Sequence, residues 1–157
     1  MSLTVRRVAA QDTVELRQLV LRGGRAVALP DDDKPAHHLA AYDGDLLVGT
    51  GNVRPEEASW TPGPGGWRLR GMATAPSHRS LGVGGLVLAG LVEHCRAEGG
   101  AVLWCHARIP AQRFYERSGF RTYGEAFDTE HGPHVQMLLA LDGGPADLGT
   151  ARVGTWA

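Results

Sequence analysis

Lysine is nearly absent from this 157-residue chain: Lys34 is the only one among 16 basic residues, and the rest are arginines. Phosphate sites built around a lysine ammonium are therefore excluded almost everywhere in the sequence. Cysteine is equally scarce. Cys95 and Cys105 each fall inside an apolar run, which leaves no disulfide framework and no zinc-ligand spacing, and reads as two small core residues in a reducing compartment. No uninterrupted apolar stretch approaches the ~20 residues of a membrane span. Residues 1–10 carry Arg6 and Arg7 but no apolar segment behind them, so no export signal is read and a cytoplasmic protein is expected. Net charge is also lacking. A formal charge of -1 gives no bulk electrostatic reason to expect nucleic acid or an anionic membrane as partner. Repeats and low-complexity tracts are missing too.

What is present is a core. With 43% hydrophobic and 21% charged residues, the chain suits one domain over residues 1–142, followed by a tail over 143–157 with little periodicity. Its 22 glycines and 9 prolines punctuate the loops. Residues 3–8 read as a strand. Asp12, with Glu15 three positions on, reads as a capping box for a helix carrying Leu16, Leu19 and Val20 and ending at Gly23-Gly24. Residues 25–37 read as a loop with at most a helical turn. Residues 38–42 and 46–53 read as strands joined by an Asp43-Gly44-Asp45 hairpin turn, and residues 55–66 as a polar loop. Residues 67–75 alternate, with Trp67, Leu69 and Ala73 on one face and Arg68, Arg70, Met72 and Thr74 on the other. Gly71 inside that strand marks a bulge or a close backbone approach. Residues 84–98 form the clearest helix, with Leu88, Leu91, Val92 and Cys95 on one face and Gly99-Gly100 as its stop. Residues 101–107 are a buried strand, parallel to 67–75 through this helical crossover. Pro110 starts a helix over 111–118 ended by Gly119, and 120–127 and 134–141 complete the sheet.

The most informative segment is Arg79-Ser80-Leu81-Gly82-Val83-Gly84-Gly85, between a strand and the best helix. Closely spaced glycines at a helix start expose backbone N–H groups with few Cβ atoms to obstruct a phosphate. A P-loop would need Gly-Lys-Ser/Thr, but Gly85 is followed by Leu86-Val87. A dinucleotide fold would need its first glycine directly after the strand, a third at the position of Val87, and an acidic residue ending the next strand, where Cys105-His106 stands.

Arg-x-x-Gly-x-Gly four residues after a strand-ending Ala75-Pro76 resembles the acetyl-CoA loop of the GNAT superfamily of N-acetyltransferases. Residues 69–76, Leu-Arg-Gly-Met-Ala-Thr-Ala-Pro, resemble that superfamily's fourth strand. Residues 114–120, Phe-Tyr-Glu-Arg-Ser-Gly-Phe, resemble its second signature one helix and one strand later. The resemblance extends over residues 39–141. A group of small members with unassigned substrates shares segments like 70–74, 103–105 and 132–134.

The resemblance implies an α/β (α+β) fold with a mixed, mostly antiparallel sheet of six to seven strands, a splayed parallel pair and about four flanking helices. It implies acetyl-CoA as donor, no metal, and transfer to a primary amine by direct attack in a ternary complex. The donor would be held by Arg79, Ser80, Leu81, Gly82, Val83, Gly84 and Gly85, by backbone of Met72, Ala73 and Thr74, and by Arg108, where many members carry Asn. Gly85 stands where a basic residue is common. Tyr115 would protonate the departing thiolate. His134 is the first candidate for general base, because imidazole is the side chain suited to proton transfer near neutral pH; Glu116, Glu125 and His106 are further options. Asp31 to Asp33 and Glu56-Glu57 read as acceptor steering or as solvated loops, and Trp60, Trp67 and Trp104 as an acceptor pocket or as core. The acceptor would be a small molecule or peptide. A homodimer is the ordinary expectation for a closed assembly. The alternative function is a noncatalytic acyl-CoA-binding or sensing domain on the same fold.

Overall fold

The computed structural model describes residues 1–23, 35–61 and 63–141. Strands β1 (Leu3–Val8), β2 (His37–Asp43), β3 (Leu46–Pro55), β4 (Gly66–Thr74), β5 (Val102–Arg108), β6 (Arg121–Thr129) and β7 (Gly132–Ala140) form one sheet. Their order is β1-β2-β3-β4-β5-β7-β6. The β4–β5 pair is parallel; the β1–β2, β2–β3, β5–β7 and β6–β7 pairs are antiparallel. This is the mixed sheet expected from the sequence. The helix count is lower than the four expected: among the described residues there are three α-helices, α1 (Val14–Leu21), α2 (Val83–Ala97) and α3 (Gln112–Arg117), with short 3-10 turns before each. The tail after residue 142, the loop over 25–34 and its acidic run lie outside the described residues.

The described chain divides into two compact units, and β4 and α2 each contribute to both. The first unit holds the described residues of Met1–Arg54 together with Leu69–His94. In it β2 and β3 close through the two residues between the paired Asp43 and Leu46, with Gly44 at φ 60°, a backbone that glycine adopts freely. Gly49 and Gly51 on β3 answer to packing that no local pattern in the sequence shows. A Cβ at Gly49 would lie 2.5 Å from Val83 Cγ1, and one at Gly51 would overlap Met72 Sδ and lie 2.9 Å from Leu91 Cδ1. These glycines let α2 settle on the strand, with Val83, Val87, Leu88 and Leu91 almost fully buried.

The first helix departs from expectation. Asp12 accepts the Ala9 N–H at 3.2 Å as the third residue of a 3-10 turn, Ala10–Thr13, and α1 then begins without a side-chain cap. The acid caps the tight turn rather than the helix. Leu16 is buried as predicted, but Leu19 is 57% exposed and Arg17 occupies a buried place.

The second unit holds Pro55–Arg68 and the described residues from Cys95 onward. Here β4 pairs with β5 through Gly66↔Val102, Trp67↔Leu103 and Arg68↔Trp104, and β5 pairs with β7 from Val102↔Ala140 to Arg108↔His134. Val102, Trp104 and Leu138 form a buried cluster on which Ala58, Trp60 and Tyr123 pack. The Trp104 indole N–H donates to the Glu56 carbonyl at 2.8 Å, so the tryptophan also ties down the loop before β4.

Both later helices end as their glycines predict. Gly99 (φ 78°) and Gly100 donate to the carbonyls of Arg96 and Cys95, and Gly119 (φ 95°) and Phe120 donate to those of Glu116 and Tyr115. This is the paired 5→2 and 6→1 bonding of the Schellman motif, which satisfies the last helical carbonyls.

Candidate active site

Approaching the glycine turn, β4 buries Leu69 and Ala73 and leaves Thr74 half-buried, but Arg70, Gly71 and Met72 are half-buried in succession, so the expected alternation is interrupted at Gly71. Gly71 has φ 66°, and a Cβ there would lie 2.9 Å from Asn52 Nδ2 and 3.3 Å from Arg17 Nε. The strand glycine is thus required both by backbone conformation and by a buried polar contact on its face. Arg17, His38, Thr50, Asn52 and Arg54 are all buried in the first unit, a polar interior that periodicity does not reveal.

The exit from β4 is anchored. The Ala75 N–H donates to the Val48 carbonyl at 2.8 Å, and a 3-10 turn, Pro76–His78, follows with its own His78 N–H to Ala75 carbonyl bond. The His78 ring reaches Asp43 on the hairpin, Nε2 to Oδ2 at 2.9 Å, and its Nδ1 lies 2.7 Å from Ser77 Oγ. Beyond this anchor Arg79 is exposed, and Ser80 has φ 63°, the only non-glycine residue with positive φ among the described residues. A serine in this region costs about 1–2 kcal/mol. Gly82 follows at φ 83°.

Helix α2 starts at once. The Leu86 N–H donates to the Gly82 carbonyl at 3.1 Å, so the N–H groups of residues 82–85 have no carbonyl behind them. They sit at the positive end of a 15-residue helix. A Cβ at Gly82 or Gly85 would meet nothing within 4 Å. Packing therefore does not require glycine at 85, and the space above the helix start is open. Val83 alone of this segment is fully buried, pinning the turn from below, while Leu81 and Leu86 are about half exposed.

In the second unit the predicted catalytic residues have distinct surroundings. Tyr115 is 7% exposed on α3, its ring 5.1 Å from that of Phe114 and 5.3 Å from that of Phe120. The Phe120 contact is the apolar pair that accompanies a Schellman end. Burial pushes the Tyr115 hydroxyl well above 10, with Cys105 adding to the rise and Arg108 opposing it. The phenol is therefore protonated throughout ordinary assay conditions. Arg108 ends β5 half-buried, at the entrance to the Ile109–Ala111 turn.

His134 is 9% exposed at the start of β7, its Nδ1 2.9 Å from the Gly132 carbonyl and 3.1 Å from Thr129 Oγ1. These bonds fix it to the β6–β7 turn. His106 is exposed on β5, against the expectation of a uniformly buried strand. Its ring lies 5.4 Å from Trp104 and 5.1 Å from Phe127. Glu116 is exposed on α3 and Glu125 is exposed on β6.

The acidic and aromatic residues from the loop after β3 through β5 have partners within the fold. Glu56 pairs with Arg68 at 3.1 Å, and Glu57 accepts the N–H groups of Gly65 and Gly66 at 3.0 and 3.1 Å. Trp67 and Trp104 are buried, and Trp60 stacks on Tyr123. Among the described residues no three His, Cys, Asp or Glu side chains converge on a metal position, and no helix is long and apolar enough to cross a membrane. An open cleft of about 820 Å³ between Arg6, Arg7, Asp12, His38 and Tyr42 contains none of the predicted site residues.

Comparison with known proteins accords with this geometry. Residues 11–120 match the family model described as Acetyltransferase (GNAT) family. The uncharacterized N-acetyltransferase YitI of Bacillus subtilis is 28% identical over 145 residues, 88% of this chain and 97% of its own. YjcF, also an uncharacterized N-acetyltransferase of Bacillus subtilis, is 33% identical over 68% of this chain and 71% of its own. Among solved structures, YncA of Salmonella typhimurium, solved with its cofactor acetyl-CoA, superposes with a TM-score of 0.70 at 14% identity, over 92% of this chain and 97% of its own. With the family model spanning most of the chain and N-acetyltransferases among its relatives, this protein belongs to the GNAT family and is an acetyltransferase.

Proposed function

We propose that this protein moves an acetyl group from acetyl-CoA to a primary amine by direct attack within a ternary complex. The observation that carries the reading is the turn over residues 79–85. It combines a strained Ser80, an open Gly82 and Gly85, an exposed Arg79 and unsatisfied N–H groups at the start of a long helix. An anion at such a helix end gains ~1 kcal/mol or more from the dipole alone, and the direct N–H bonds add to this. A pyrophosphate suits that site, with Arg79 as its side-chain partner. Cofactor-bound YncA, which shares the fold, supports acetyl-CoA as the source of that pyrophosphate.

Acetyl-CoA supplies an activated acyl carbon; the chain supplies orientation and proton transfers. Backbone of Met72, Ala73 and Thr74 aligns the donor, and an N–H aimed at the carbonyl oxygen stabilises the oxyanion that forms on attack. Arg108 contributes a further cationic contact to the donor. The amine must arrive neutral, so an imidazole on the face shared by β5 and β7 takes its proton. As the new C–N bond forms and the C–S bond breaks, Tyr115 donates its hydroxyl proton to the departing thiolate. The same reading places the protein in the cytoplasm, where Cys95 and Cys105, both pushed up to about 12 by burial, remain inert thiols.

Thiol release from acetyl-CoA, measured with amino acids, polyamines, aminoglycosides and peptides, tests the reading. At least one class should accelerate release and be recovered as its acetamide. Tight acetyl-CoA binding with no acceleration by any amine would instead identify a binding domain.

A further inference from the structure

Among the seven histidines, all within the described residues, six are accounted for by their own surroundings. His37 and His94 stack face to face at 3.6 Å. His38 is 4% exposed. His78 spans Ser77 and Asp43 through both ring nitrogens. His131 lies 3.3 Å from Glu130. His134 is fixed to the Gly132 carbonyl and Thr129.

His106 differs from all of these. It points from the same face of β5 as Trp104, whose neighbours Leu103, Cys105 and Ala107 are buried on the other. Its ring meets Trp104 at 55° and Phe127 edge-on at 78°, so aromatic contacts hold its orientation. Yet among the described residues neither ring nitrogen has a hydrogen-bond partner. An imidazole that is oriented, exposed and uncommitted is unusual on a sheet face unless something else uses its nitrogens.

Given the amine transfer proposed above, we infer that His106 is the general base that takes the proton from the acceptor ammonium. The N–H bond of the ammonium breaks, its electron pair stays on the nitrogen that attacks the acetyl carbon, and the proton passes to a ring nitrogen of His106. The imidazolium then returns it to solvent. The electrostatics suit the task. The groups facing His106 are Arg68 from β4, Glu56 from the segment after β3 and His134 from β7, while Phe127 of β6 is uncharged. Burial, Arg68 and His134 disfavour the imidazolium and outweigh Glu56, so the ring stays neutral below the ordinary value of 6.5. The base is therefore in its proton-accepting form throughout neutral pH.

The test is the pH dependence of kcat/KM for an amine that the wild type acetylates, with His106→Gln, His106→Asn and His134→Gln compared. The wild type should show an acidic limb below pH 6.5. Both His106 variants should melt like the wild type, bind acetyl-CoA equally well, lose about 100-fold in rate at pH 7, and lose that limb so that rate follows free-amine concentration. His134→Gln should keep the limb. Retention of the limb and most of the rate in the His106 variants overturns the assignment while leaving amine transfer intact. Loss of the limb in His134→Gln alone also overturns it. Absence of any amine-dependent release by the wild type overturns amine transfer itself, and the base with it.

Discussion

His78 and Asp43 join the turn after β4 to the β2–β3 hairpin, with His78 Nε2 2.9 Å from Asp43 Oδ2. Since a carboxylate can only accept, Nε2 carries a proton, and Nδ1 lies 2.7 Å from Ser77 Oγ. The turn that presents Arg79 and Ser80 is held at its base by this chain of two hydrogen bonds.

Asp43→Asn should therefore weaken acetyl-CoA binding several-fold with little change in kcat, as read by calorimetry and steady-state rates at pH 7. The carboxyl is held below its ordinary 3.8, first by the His78 hydrogen bond and then by the Ser2 N–H. A lowered folded pKa contributes stability that is complete above the unfolded value and fades as pH falls through the folded one. Melting temperatures of the wild type and the variant should thus differ at neutral pH and converge below about pH 3.8.

Gly85→Ala separates folding from binding. A Cβ there meets no atom within 4 Å, and alanine in a helix is favoured over glycine by up to ~1 kcal/mol. The variant should melt at or above the wild-type temperature yet bind acetyl-CoA more weakly, because the methyl enters the space left for pyrophosphate.

Gly49→Ala should do the reverse. Its Cβ would be 2.5 Å from Val83 Cγ1, and forcing α2 away from β3 costs about 1–3 kcal/mol. Chemical denaturation should show a lower midpoint with unchanged slope.

The contrast between these two glycines marks what was legible in the sequence. Gly82 and Gly85 announce themselves by local spacing at a helix start, as do Gly99 and Gly119 at helix ends. Gly49 and Gly51 answer to side chains on α2 more than thirty positions away, which no local pattern encodes. Arg17 misleads for a related reason: it is buried close to the Cβ-less Gly71 of β4, fifty-four positions away, where periodicity expects an apolar residue. Among the candidate site residues, the turn and Tyr115 carry local motifs that resemble the family's. The open state of His106 was not distinguishable from the committed state of His134, because the Gly132 and Thr129 contacts arise only once the β6–β7 turn closes.

Tyr115→Phe removes one oxygen from a buried ring that Phe114 and Phe120 keep in place. Turnover should fall roughly 10²-fold while acetyl-CoA affinity holds. Because burial raises the phenol well above 10, wild-type activity should show no alkaline limb from this group below pH 10. Unchanged turnover in the variant removes the hydroxyl from the reaction.

The most direct test of the whole account is amide-resolved NMR of the protein titrated with acetyl-CoA and, separately, with acetylated pantetheine, which lacks the pyrophosphate. The N–H signals of residues 82–85 should shift strongly with acetyl-CoA and hardly at all with the truncated donor. Equal shifts with both donors, or shifts that leave this turn untouched, would contradict a pyrophosphate bound at the start of α2.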